Sequence, residues 1–119
     1  MNLRIAPEYL RFRISEAEFA LLQSGETLQS FTHIAEGVYL SYTILNDKTT
    51  IRHSDCLLNL ETVQNKEATH LNLSVYPEGI EQLISGKDGI RAFIAFANGE
   101  MLTVGLEVDI HSIKETSKS

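Results

Sequence analysis

Apolar and polar residues alternate along most of this chain, and the clearest break in that alternation marks its best-defined joint. Leu10, Phe12 and Ile14 alternate with Arg11 and Arg13, which puts apolar residues on one face of a strand and arginine on the other. At Ser15 the period changes. Ser15 is a good helix N-cap, Glu18 three residues on completes a capping box, and Glu16 sits where the positive end of the helix dipole favours a carboxylate. Ile14 and Phe19 have the spacing of a hydrophobic staple, and Gly25 stands where a left-handed residue ends a helix. A strand therefore runs into a helix over residues 15–24.

The rest of the chain reads mainly as sheet. Residues 2–6 alternate through Leu3 and Ile5, and Pro7-Glu8 turns the chain into the Leu10 strand as a short hairpin. A polar strand follows Gly25, and Glu36-Gly37 marks a turn. Val38, Leu40, Tyr42 and Ile44 share one face of a strong strand. Residues 49–63 predict one long bent strand or two short ones, with a break near Ser54-Asp55. His70 to Val75 alternates again, and Pro77 suits the first turn of a second, short helix over residues 77–85, which Gly79 weakens. Two apolar strands then flank Asn98-Gly99, the strongest short-range hairpin signal, with a type I′ turn expected. The run from Ala92 to Ala97 is apolar at consecutive positions, which predicts a central strand covered on both faces.

These elements predict an α+β fold. It is a mainly antiparallel, curved or barrel-like sheet of about seven or eight strands, with the two helices supplying the missing layer. A single domain is expected over residues 1–114, followed by a polar tail over 115–119. No internal repeat is visible.

Composition narrows the class. The chain has 119 residues and is 43% hydrophobic and 22% charged, values of an ordinary globular domain large enough to bury a core. One cysteine, Cys56, excludes an internal disulfide and a Cys-rich zinc cluster. Its neighbour Asp55 would raise a thiol pKa, so Cys56 reads as an inert buried thiol. The net charge of −6 argues against non-specific binding to nucleic acid or anionic membranes. The start of the chain lacks the apolar stretch of a signal peptide, and no run is long enough to span a bilayer, so a cytoplasmic location is expected.

The order of motifs resembles a family of small uncharacterised bacterial proteins of similar length. The shared features are Leu3-Arg4-Ile5, the alternating run Leu10 to Ile14, Ser15 and Glu18 opening a helix that ends at Gly25, and Leu40-Ser41-Tyr42. Val75-Tyr76-Pro77 and Gly89-Ile90 with the last hairpin complete the set. The family tends to carry Glu-Lys-Asp-Phe in its last strand, where this chain has Glu107-Val108-Asp109-Ile110. The resemblance implies a fold and a bacterial origin, and no catalytic residue.

Candidate chemistry is sparse. Arg11 and Arg13 share a strand face, and Arg4 can join them across the hairpin. Three guanidiniums in reach of one another can hold a phosphate or carboxylate. The bland alternative is pairing with Glu107 and Asp109, which have the matching spacing. His53 with Asp55, and Asp109 with His111, are two doublets that would bind a divalent metal if their strands were neighbours; His33 and His70 look isolated. Tyr39 and Tyr42 point to opposite faces, so one is core and the other an exposed aromatic contact, assigned here to Tyr39 as an interaction surface. No P-loop, nucleophile elbow or dinucleotide fingerprint is present. The expectation is a non-catalytic binding or interaction domain without a cofactor. Its partner would be a protein, a small molecule or a second copy of itself. The alternatives are an anion-binding module or enzyme using Arg4, Arg11 and Arg13, and a metal-dependent enzyme using the His/Asp doublets.

Overall fold

The structure is a computed structural model, and it describes residues 1–48, 57–66, 68–86 and 89–109. In chain order the elements are β1 (Asn2–Ala6), β2 (Tyr9–Ser15), α1 (Glu16–Gln23), β3 (Leu28–Ala35), β4 (Val38–Asn46), β5 (Leu58–Gln64), β6 (Ala68–Val75), α2 (Pro77–Ile84), β7 (Ile90–Ala95) and β8 (Met101–Asp109).

The sheet expectation is corrected. The described residues form not one antiparallel sheet but two four-stranded mixed sheets, ordered β1-β2-β8-β7 (sheet A) and β3-β4-β6-β5 (sheet B). Every hairpin is antiparallel, but the seam at the middle of each sheet is parallel: β2 beside β8, and β4 beside β6. The helices explain why no single sheet closes. α1 carries the chain from β2 in sheet A to β3 in sheet B, and α2 carries it back from β6 to β7. One core unites the sheets: Phe12 and Ile14 of β2, Tyr42 and Ile44 of β4, Leu71 and Leu73 of β6, and Val104 and Leu106 of β8 are all buried together. Phe12 and Tyr42 meet edge to face across it, ring centroids 6.2 Å apart.

The absence of a repeat is also corrected. The chain is two successive units of strand, strand, helix, strand, strand, and each unit gives one hairpin to each sheet. The registers match. Leu10 lies beside Val104 and Phe12 beside Leu106 in sheet A, as Leu71 lies beside Tyr42 and Leu73 beside Ile44 in sheet B. The step from Leu10 to Leu71 is 61 residues and that from Tyr42 to Val104 is 62. Leu28 opposite Ile44 likewise maps onto Ile90 opposite Leu106. What repeats is burial pattern, not identity. Over residues 10–25 the only identities at a step of 61 are Leu10/Leu71, Leu22/Leu83, Ser24/Ser85 and Gly25/Gly86.

The local signals around α1 form as their chemistry requires. The Ser15 hydroxyl accepts from the Glu18 amide at 3.1 Å, and the Glu18 carboxylate accepts from the Ser15 amide at 2.9 Å. At the other end Gly25 takes φ of +97°, while the amides of Gly25 and Glu26 return to the carbonyls of Leu22 and Leu21, a Schellman stop. The Met1 ammonium also donates to Glu18 at 2.8 Å. Burial pushes the Glu18 carboxyl pKa up, but the ammonium and the Ser15 bonds outweigh it and hold the group below its usual value. A lowered folded pKa means that this stabilisation is full above the unfolded carboxyl value of about 4.3 and fades as pH falls through the folded value. Glu18→Gln should therefore cost stability at pH 7 and little at pH 3. Urea midpoints across that range check it, and a difference independent of pH would refute it.

Two smaller expectations change. β7 is an edge strand, not a central one: Ile90 is buried, but Phe93 faces outward at 65% exposure. The β7–β8 hairpin forms with a different turn. Only Gly99 has positive φ, and Asn98 instead accepts the Glu100 amide through its side chain, while Phe96 donates to Glu100 across the loop. A three-residue loop ending in a left-handed glycine satisfies the hairpin without straining Asn98.

Candidate functional site

The outward face of sheet A holds the charge that the alternation of β2 placed there. Cross-strand pairing puts Arg4 opposite Arg11, Arg11 beside Gly105, and Gly105 opposite Arg91, so one row crosses all four strands. The next row holds Asn2, Arg13 and Glu107, and Asp109 lies one step beyond. All these side chains share a face, since residues aligned across strands point to the same side.

Glu107 and Asp109 stand on β8 beside the arginines. Arg11 Nε is 3.6 Å from Glu107 Oε1, Arg13 Nε is 3.5 Å from the same oxygen, and an Arg13 terminal nitrogen is 3.3 Å from Asp109 Oδ1. Only the last is a hydrogen bond. The Arg13 Nε is shielded from solvent and has no hydrogen-bond partner among the described residues. These groups are a quarter to a third exposed, a setting in which ion pairs contribute about 0–1 kcal/mol each. Arg4 and Arg91 form no ion pair among the described residues. Among the described residues, four arginines thus share this face with two carboxylates, in a chain of net charge −6.

Over the middle of the row lies a groove of about 180 Å³, lined by Tyr9, Arg11, Arg91 and Glu107 above Gly89 and Gly105. Gly105 makes room for Tyr9: a Cβ there would sit 3.1 Å from the tyrosine hydroxyl. Sequence reasoning missed Arg91 because the run that follows it reads as a buried central strand. The signal that finds it is register, since Arg91 is two strands from Arg11 across a glycine.

The metal reading is not brought together by the described residues. His53, Asp55 and His111 lie outside them, as does Cys56, and Asp109 is engaged by Arg13. Among the described residues no three His, Cys, Asp or Glu side chains gather to hold a metal ion.

Tyr39 lies on the outer face of sheet B, and Tyr42 is the buried member of the pair, at 8% exposure. His33, opposite Tyr39 on β3, stacks on its ring with centroids 4.5 Å apart, and Phe31 meets the same ring edge-on at 6.5 Å. Phe31 is 70% exposed. The two sheets therefore show solvent different chemistry, arginine on one and stacked rings on the other.

No protein-family model, no curated protein and no solved structure matches this chain. No helix among the described residues is long and apolar enough to cross a membrane.

Proposed function

We propose that this chain is a non-catalytic binding domain that meets a protein partner through the outer face of sheet B. The observation that carries this reading is the ordered cluster of Phe31, His33 and Tyr39. Rings held by one another while facing water bring large apolar area to an interface at low entropic cost. β3 is also an edge strand, so its outer backbone groups are available for pairing with another strand. The version with a direct test is a homodimer. Light scattering at tens of micromolar should give twice the 13.3 kDa chain mass, and Phe31→Ser should return it to the monomer. A wild-type protein that stays monomeric removes the homodimer.

A second reading, an anion-binding module, is supported by the arginine face. Arg4 and Arg91 stand there without carboxylate partners among the described residues. Such a module would bind small anions with an affinity that falls as salt rises.

A further inference from the structure

The fold contains its own control for the arginine face. The two units build the same outer cross-strand row twice, once in each sheet. In sheet B that row runs Glu61, Asn72, Thr43, Gln29. In sheet A the equivalent row runs Arg4, Arg11, Gly105, Arg91. The backbone context is shared, and sheet B fills it without a single cation. The fold therefore does not require arginine there.

The arrangement in sheet A also opposes stability. Arg4 faces Arg11 directly across an antiparallel pair, and like charges so placed repel. The contact between Arg11 and Glu107, at 3.6 Å, exceeds hydrogen-bond length, and among the described residues the donors of the Arg11 fork have no hydrogen-bond partner. Arg91 is exposed and has no ion pair among the described residues. Gly105 between them contributes no side chain; the Tyr9 hydroxyl lies over it, and the two form the floor of the groove.

Resting on the arginine-face reading, we propose that this groove binds a phosphate group, free or carried as a monoester, between the guanidiniums of Arg11 and Arg91. Neighbouring strands are about 4.8 Å apart, so the two arginine backbones stand roughly 10 Å from each other. Two side chains leaning inward from that separation bracket one tetrahedral anion, and a guanidinium offers paired donors to its oxygens. The Tyr9 hydroxyl adds a neutral donor. Arg4 lies one strand beyond Arg11 and strengthens the field without touching the anion. Glu107 is the opposing charge in the lining, and its Oε1 is shared between Arg11 at 3.6 Å and Arg13 at 3.5 Å, so Arg13 competes with Arg11 for that carboxylate. The groove thus contains both an attractive pair and a competitor, which gives the site an unusual mutational signature.

The test is titration of the full chain with inorganic phosphate and, side by side, phenyl phosphate at constant ionic strength, followed by backbone amide shifts. Wild-type protein should shift at β2, β7 and β8. Arg91→Gln, an exposed position whose spectrum should otherwise be unchanged, should weaken binding about tenfold or more, the loss of one bidentate charged contact. Glu107→Gln should tighten it, an opposite sign that no loss of structure produces. Whichever probe binds more tightly identifies the source of the phosphate. If Arg91→Gln binds as wild type while Arg4→Gln and Arg13→Gln do not, the arginine face binds anions but the groove is overturned. If wild type takes up neither probe, both readings fall.

Discussion

Phe12→Ala should lower the stability of this domain by about 3–5 kcal/mol, the cost of emptying a large aromatic site in a packed core. Phe12 is 0% exposed, stands on the inner face of the β2–β8 seam, and touches Tyr42 of the other sheet. Its loss removes packing between the sheets rather than within one. Domains are commonly stable by about 5–15 kcal/mol, so this one substitution removes roughly a fifth or more of the total. Urea unfolding should show a much lower midpoint with the slope unchanged. Phe93→Ala is the matched control. It sits on the outer face of β7 at 65% exposure and should change stability by less than about 0.5 kcal/mol. Equal effects at the two positions would contradict the placement of the core.

Gly79→Ala should destabilise the protein, although glycine inside a helix ordinarily costs about 1 kcal/mol relative to alanine. A Cβ at position 79 would lie 2.7 Å from the Leu57 carbonyl oxygen and 2.9 Å from the Ile90 side chain. The first of these is backbone, and it already accepts a hydrogen bond from the Tyr76 amide at 3.1 Å. Moving α2 away to relieve the clash would stretch the bond that ties its start to the entry of β5. Overpacking of this kind costs about 1–3 kcal/mol, enough to reverse the helix gain. Circular-dichroism melting decides the sign, and a higher melting temperature for Gly79→Ala would refute the close approach. The glycine that weakens this helix on propensity grounds is what lets it dock.

The helices were legible because their signals are local. Ser15, Glu18 and Gly25 each satisfy backbone groups within a turn or two, and neighbouring residues suffice to read them. The sheet order was not, because the partner of β2 is β8, at the far end of the described chain, and alternation alone does not distinguish a parallel from an antiparallel neighbour. The apolar run after Arg91 misled for a related reason. Ala92 and Ile94 face the core and Phe93 faces water, so consecutive apolar residues mark here an edge strand with an exposed ring. The arginine face was half legible: period two put Arg11 and Arg13 together, and the hairpin brought in Arg4. Arg91 enters only once register is known. The repeat was hidden because the two units match in burial and not in identity, as in Phe12 against Leu73 and Phe19 against Ile80.

The parallel seams also set the order in which the chain can acquire its structure. Each of the four hairpins brings together strands adjacent in sequence and can form early. The seams cannot, since Leu10 must find Val104 before sheet A exists. Closing so long a loop costs entropy before any contact offsets it, which places this small domain among slow folders for its size. Neither half owns a complete sheet, so an N-terminal half emerging alone has two hairpins and one helix with no second layer. During that interval its apolar faces are open to the matching half of a neighbouring chain, and exchange of halves between molecules is the characteristic error such a topology invites.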